Sequence, residues 1–499
     1  MPPHDGRVIA RSTVWNLVGQ GLPAVVAVVA IPFLVKGLGT DRLGILMLAW
    51  SLIGYFSLFD FGLGRALTQV VSERIGRGRD DEVADIIWTA TCLMTLLGLL
   101  ATAAVALFSP ALVGRVLKIP PNLQQETLQA FLVLATGIPF VTAYAGLRGV
   151  LEAILRFDLT NAVRVPLGIL TFVGPICVLP FSHSLVPVMI VLVFARVAAC
   201  AAQLILCLRT VSGLRHARWP RFRTVVPLLR FGSWMTISNV ISPVMVSLDR
   251  FLIGALTSMA AVAYYSTPYE AVTKLLLVPA ALVGVLFPAF SRSFVEDRAR
   301  TARLFRLGVK ALGVALFPLC LLAAAFAREG LTAWLGTAFA DKSTLVLQLL
   351  AIGVFVNGLA NVPFALIQGI GRPDVTAKLH LVELPLYLSA LWWLVHLWGI
   401  VGAAAAWLAR VALDSLLLFL VTHRVLKVMD AATARLLFAL PLALLVLGVG
   451  TNSLSLIPKV LLVAAALSAF WALAWSWIRT GEDRVLLDGL RVLKVWSAG

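Results

Sequence analysis

The sequence predicts an all-α polytopic membrane protein with about fourteen transmembrane helices. Three observations predict it. Of the 499 residues, 60% are apolar and 13% charged, with a mean hydropathy of +0.96. A soluble chain averages roughly 45–50% apolar and about 25% charged. Apolar runs of about 20 residues, each long enough for a hydrocarbon core about 30 Å thick, recur along the whole chain. The alternating apolar and polar decamers of an outer-membrane barrel are absent, and a helix satisfies its own backbone polar groups in lipid.

The expected spans are 13–35, 43–67, 86–108, 127–150, 165–182, 187–208, 231–255 and 263–290, then 307–327, 344–368, 379–398, 401–421, 436–451 and 459–478. The first follows Arg7 and Arg11, like the basic region of a signal peptide. It is too long for a cleaved signal and carries Asn16, Gln20 and Pro23, so it reads as a retained span. The basic connection from Arg209 to Arg230 separates six spans from eight. This gives an N-terminal six-helix lobe (1–228), a C-terminal six-helix lobe (229–428) and an additional helix pair with a tail (429–499). Weak internal similarity supports the duplication: Asn16 and Asn239 sit early in the first span of each lobe. Gly37-Leu38-Gly39-Thr40 and Gly254-Ala255-Leu256-Thr257 end those spans. Prolines such as Pro23, Pro32, Pro268 and Pro363 fall inside spans, where each is expected to kink its helix.

Charge sets the orientation. Arg74, Arg77, Arg79, the Arg209–Arg230 group, Arg292–Arg306, Arg372, Lys378, Arg424 and Lys427 fall in alternate connections, and the opposite loops are poor in basic residues. The positive-inside rule makes the basic side, and with it both termini, cytoplasmic. The net charge of +17 is therefore topogenic, and no nucleic-acid partner is expected. No hydrophilic stretch reaches the roughly 50 residues of a separate catalytic domain. There is no GxxxxGK[ST] phosphate loop. Cys92, Cys177, Cys200, Cys207 and Cys320 lie in apolar runs without metal spacing. No catalytic residue, metal or cofactor is expected.

Ionisable groups in a span are expensive and point to function. Those considered are Asp60, Arg65, Arg196, Asp249, Arg250, Glu270, Lys274, Arg410 and Asp414. Glu270 with Lys274, and Arg410 with Asp414, have the i, i+4 spacing of helical ion pairs. Asn357 and Asn361 form an uncharged polar stripe, as do Asn16 and Gln20. Tyr55, Tyr144, Tyr269 and Trp234 are candidates for stacking on a substrate, or for packing and interfacial anchoring.

Leu248-Asp249-Arg250-Phe251-Leu252-Ile253-Gly254, running on to Ala261-Val262-Ala263-Tyr264-Tyr265-Ser266, resembles a hallmark of the polysaccharide-transport branch of the multidrug/oligosaccharidyl-lipid/polysaccharide (MOP) exporter superfamily. Leu38-Gly39-Thr40-Asp41-Arg42-Leu43-Gly44, Phe59-Asp60-Phe61-Gly62-Leu63-Gly64 and Ser72-Glu73-Arg74 carry the same resemblance, which covers most of residues 10–425. Within it the chain looks most like Wzx-type flippases. The resemblance implies two six-helix bundles around a central cavity. It also implies movement of an undecaprenyl-pyrophosphate-linked O-antigen or exopolysaccharide unit from the cytoplasmic to the periplasmic leaflet, coupled to H+ or Na+. Partners would be that glycan, membrane lipids, and a polysaccharide polymerase with other assembly proteins. Alternatives are a lipid II flippase, a multidrug antiporter of the same superfamily, a major-facilitator carrier, and a membrane polysaccharide polymerase or ligase.

Arginine suits a pyrophosphate because its planar fork makes bidentate contacts. The expected substrate site is Arg250 and Lys274 with Arg196, Arg65, Asn16, Asn239, Asn357 and Asn361. Asp60, Asp249 and Glu270 are the expected ion-coupling carboxylates.

Overall fold

In a computed structural model, residues 6–56, 63–77, 79–211, 213–214, 245, 247–427 and 431–479 are described. They are helical almost throughout, with no strand among them. The helices are α1 (Gly6–Phe56), α2 (Leu63–Gly76), α3 (Asp80–Ala111), α4 (Pro121–Ala135), α5 (Ile138–Ala153), α6 (Phe157–Val178), α7 (Leu185–Thr210) and α8 (247–256). They continue as α9 (Met259–Thr273), α10 (Leu277–Glu296), α11 (Arg298–Ala325), α12 (Ala327–Leu335), α13 (Thr337–Gly369), α14 (Pro373–Leu426), α15 (Ala431–Gly450) and α16 (Leu456–Arg479).

Ten stretches are long and apolar enough to cross a membrane among the described residues, and 437–453 adds a shorter apolar helix. Two stretches each contain a pair of expected spans. At 51 and 54 residues, α1 and α14 would run roughly 75–80 Å if straight, more than two hydrocarbon cores. Each is broken once by a glycine: Gly39 at φ 75° and Gly399 at φ 56°. Those left-handed values suit a residue without Cβ. The kinks expected at Pro23 and Pro32 are not where the backbone of α1 leaves helical geometry. The single expected span 127–150 is likewise two helices, α4 and α5, parted at Thr136-Gly137. Most of the expected span 231–255 lies outside the described residues.

In α14 the break makes a helical hairpin. Arg410 lies over Tyr387, Asp414 approaches His380, and a Cβ on Gly402 would fall 1.9 Å from the Leu394 carbonyl oxygen. The two arms therefore run antiparallel.

Contacts divide the chain into two units, one of residues 1–267 with 391–403, the other of 268–390 with 404–499. The expected lobe boundary at 228–229 falls outside the described residues, as does nearly all of the Arg209–Arg230 connection. Within the first unit α1 packs on α6, and α5 packs on α2, α3 and α7. Within the second, α13 is central and packs on α10, α11, α12 and α15. Burial follows that order: 72% of the apolar window of α13 is inside the protein, against 17% for α16. Leu461, Trp471, Leu473 and Trp475 on α16, and Trp392, Trp393 and Trp398 on α14, are exposed. Only a hydrocarbon solvent makes such faces stable. Lys459 at the start of α16 is buried and donates to Glu329 on α12 over 2.7 Å. Burial pushes the Glu329 carboxyl up, but the hydrogen bond and charge of Lys459 override it and hold the group below its ordinary value.

The segment Leu38–Gly44 has a structural role residue by residue. Gly39 turns α1, and Asp41 accepts from the Ala260 amide at the start of α9. Arg42 grips Glu126 through Nε and Nη2, and Glu126 in turn accepts from the Leu185 amide. Gly44 lets α1 touch the backbone of Met259, where a Cβ would stand 1.8 Å from the carbonyl oxygen. Gly44→Ala is therefore expected to cost about 1–3 kcal/mol of stability, the range for overpacking. Gly21→Ala, which would meet nothing within 4 Å, is expected to be neutral or slightly stabilising. Thermal unfolding of both variants in detergent checks the contrast; equal melting temperatures would contradict it.

Candidate transport site

In the first unit, α8 carries Asp249 and Arg250 into the interior, at 0% and 5% exposure. Neither charge is left to lipid. Asp249 accepts from the Arg250 amide (2.7 Å) and from the Tyr265 hydroxyl on α9 (2.5 Å). Arg250 Nη1 donates to Ser51 Oγ on α1 (2.8 Å), and Ser51 donates to the Met47 carbonyl. The network ties α1, α8 and α9 together around one carboxylate and one guanidinium. In a low-dielectric interior such contacts are strong, and a missing partner is costly.

Arg196 is also buried, at mid-length in α7, where Nη1 donates to the Leu192 carbonyl one turn earlier. No carboxylate pairs with it among the described residues. Gln203, two turns along the same face, is buried with neither amide atom hydrogen-bonded among the described residues. On α5 and α6, Arg148 and Arg164 lie within electrostatic reach of each other and of Tyr144. Arg148 pairs with Glu152 at 3.4 Å, and the Tyr144 hydroxyl is buried without a partner among the described residues.

In the second unit Lys274 donates to Glu270 over 3.1 Å, so the pair predicted by their spacing forms. It lies where α9 gives way to a single 3-10 turn, Lys274–Leu276. Asn361 donates to the Asn357 carbonyl (2.8 Å) and also approaches its side-chain oxygen, so this stripe bonds to itself. Tyr269 packs edge-on against Trp407.

The pair predicted between Arg410 and Asp414 does not form. Arg410 lies over the Tyr387 ring, 5.4 Å from its centre. Asp414 faces His380 and Glu383 on the other arm of the hairpin. Spacing along one helix favours the i, i+4 pair, but the hairpin offers Asp414 closer partners across the turn.

Thus the structure brings together Asp249 and Arg250, Glu270 and Lys274, and Asn357 and Asn361, each pair in its own place. Asp60 and Asn239 lie outside the described residues, as do the side chains of Asn16, Arg65 and Tyr55. The residues missed from sequence are Ser51, Tyr265, Arg148, His380 and Glu383. For the last two a signal existed: His380 and Glu383 are i, i+3 on one face of an expected span, and Asp414 lies in the next antiparallel one. A 490 Å³ groove lined by Trp88, Thr95, Leu99, Thr102 and Phe140 gathers no charged side chain.

A helical bundle that holds arginines, a lysine and carboxylates inside its spans has the buried charge expected of a transport path. Comparison with known proteins agrees. The family model described as "Polysaccharide biosynthesis protein" matches residues 9–294. A Shigella flexneri protein named "Putative O-antigen transporter" is 32% identical over 413 residues, which are 82% of this chain and 96% of that protein. Among solved structures, lipid II flippase MurJ in an inward closed conformation superposes with a TM-score of 0.74 at 11% identity, over 93% of this chain and 99% of that one. An inward-facing multidrug-resistance MATE transporter of the MOP superfamily gives 0.71 at 14%, over 84% and 99%. At these identities the solved structures show the fold alone. The chain belongs to the polysaccharide biosynthesis protein family and is a transporter rather than an enzyme.

Tyr265→Phe removes a donor from a buried carboxylate. The expected cost is about 1.5–3 kcal/mol, the range for hydrogen bonds to charged groups. Tyr144→Phe, whose hydroxyl meets no hydrogen-bond partner among the described residues, is the control. Thermal unfolding that does not distinguish the two variants would count against the network.

Proposed function

We propose that the protein is a flippase for a lipid-linked polysaccharide precursor. The unit is an undecaprenyl-pyrophosphate-linked oligosaccharide of the O-antigen or exopolysaccharide type, carried from the cytoplasmic to the periplasmic leaflet by alternating access. The observation that carries this reading is the 32% identity, over 82% of the chain, to a protein named for O-antigen transport. The physical problem supports it: a pyrophosphate and several sugars must cross a low-dielectric slab while the polyprenyl tail stays in lipid. Buried arginine offsets the desolvation of phosphate and meets it with a bidentate fork.

In this reading Arg250, Lys274, Arg196 and Arg65 meet the pyrophosphate at successive stages, and Asn16, Asn239, Asn357 and Asn361 offer hydrogen bonds to sugars. Asp60, Asp249 and Glu270 neutralise those cations in the empty carrier. When phosphate competes for the cation, the released carboxylate takes up the coupling ion, H+ or Na+. The membrane is the bacterial inner membrane, with both termini cytoplasmic, and a polysaccharide polymerase receives the product. The asymmetry of basic loops supports that orientation. An excess of arginine favours an anionic substrate over the cationic drugs of a multidrug antiporter.

Native mass spectrometry of gently extracted protein tests the substrate class. A co-purifying polyprenyl-pyrophosphate glycan is expected; lipid II alone would redirect the assignment to cell-wall precursors. In a flippase-deficient strain Arg250→Ala is expected to lower surface glycan at least about tenfold with protein level retained, and Arg250→Lys to restore it in part. Full activity of Arg250→Ala would remove that residue from the substrate path.

A further inference from the structure

The hairpin α14 holds a cluster that the substrate path does not use. One donor atom each from His380, Glu383 and Asp414 lies within 4.8 Å of the others. The nearest recorded His380–Asp414 approach, Nε2 to Oδ1, is 3.9 Å, too long for a hydrogen bond. Glu383 is 1% exposed, and no donor among the described residues reaches either of its carboxylate oxygens. Asp414 Oδ1 is likewise without a donor. One oxygen of each carboxyl group lies within 4.8 Å of the other. Two carboxylates so placed repel, whereas a carboxylate and a carboxylic acid attract through the proton between them.

We propose that His380, Glu383 and Asp414 form a proton-binding site within the second unit, in which one proton is shared between the two carboxyl groups and exchanged through the imidazole.

The charge count supports one proton over a divalent metal ion. Among the described residues, the groups that act electrostatically on the three are one another and Arg410. With the imidazole neutral, two carboxylates and one guanidinium leave a single negative charge in excess. One added proton cancels it. A divalent cation would leave a net positive charge in an apolar surround, which is expensive. That surround is built by the neighbouring helices. From α13, Phe364 stacks on His380 with ring centres 6.2 Å apart, and residues 343–369 of that helix include no ionisable group. Ala360, Ile367, Leu379, Leu418 and Val421 form one apolar cluster there. Against the second arm, α9 packs Tyr269 on Trp407 and brings Glu270 and Lys274, which pair with each other. Phe305 of α11 packs on Phe419, and that helix carries Arg303, Arg306 and Lys310.

The placement matters because the two arms meet only beyond the non-helical turn at Gly399. Protonated, the carboxyl pair holds the arms together. Deprotonated, the excess charge pushes them apart or draws in water. The same hairpin would thus exist in two states set by one proton, a bistable element of the kind that transport coupling needs. This use of the proton rests on the carrier reading; the site itself does not.

The test is infrared difference spectroscopy of the full-length protein in lipid nanodiscs, titrated between about pH 5 and pH 9. The wild type is expected to show a carboxylic-acid carbonyl band that both Glu383→Gln and Asp414→Asn abolish, because the proton belongs to the pair. His380→Ala is expected to keep the band and change the pH at which it appears. Saturating Na+ or Zn2+ should leave the wild-type band unchanged. Absence of the band, its survival in both carboxyl variants, or its loss on adding either metal ion would overturn the proposal. The wild-type and metal measurements decide the matter even if a variant does not fold. Glycan complementation distinguishes the two readings: a band without glycan movement retains the site and removes the flippase, and glycan movement without a band does the reverse.

Discussion

Lipid cannot hydrate a charge, and the polar interior of this protein is organised around that constraint. Each ionisable group inside the bundle must be answered by another side chain, a backbone carbonyl or a proton. Asp249 is answered by a tyrosine hydroxyl and a backbone amide, Arg250 by a serine, Arg196 by a carbonyl of its own helix, and Lys274 by Glu270. The contacts that answer charges in the first unit also tie helices together. Ser51, Asp249, Arg250 and Tyr265 come from α1, α8 and α9, so the network that offsets desolvation is also a clamp. Function in a carrier needs such clamps to be exchangeable, and a bound anion is the natural competitor for a buried guanidinium.

The motif Leu38–Gly44, which marks the family in the sequence, turns out to be mechanical. Gly39 turns the chain, Asp41 holds the start of α9, Arg42 ties in Glu126, and Gly44 permits a backbone contact. None of these residues is free to meet a substrate without dismantling the junction. Resemblance of sequence therefore reports the scaffold, and the chemistry of transport has to be sought in the buried charges.

Much of the fold was legible because lipid imposes a length on every span. Hydropathy alone located the apolar stretches, and spacing alone placed Lys274 on Glu270. The joints were less legible. Gly39 and Gly399 are two of 37 glycines, and nothing local distinguishes a turn glycine from one that eases helix packing. Prolines looked like the kinks, but helices in lipid absorb proline by satisfying the freed carbonyl elsewhere. The site was legible one helix at a time and obscure wherever it needed two. Arg410 and Asp414 invite pairing along their helix, whereas Asp414 sits against His380 and Glu383, more than thirty positions away in sequence across the hairpin turn. Ser51 escaped notice for the same reason: a small hydroxyl in an apolar run carries no signal until α8 places an arginine beside it.

The central claim is that the protein moves a pyrophosphate-linked glycan between leaflets without altering it. The most direct measurement uses purified protein in sealed vesicles loaded on one leaflet with a polyprenyl-pyrophosphate oligosaccharide. An impermeant glycan-cleaving enzyme outside reports how much substrate reaches the outer leaflet, and mass spectrometry reports its covalent state. The account predicts that protein-containing vesicles expose the glycan far faster than protein-free ones and at unchanged mass. Exposure no faster than in empty vesicles under any imposed ion gradient, or a change in the glycan's mass, would contradict it.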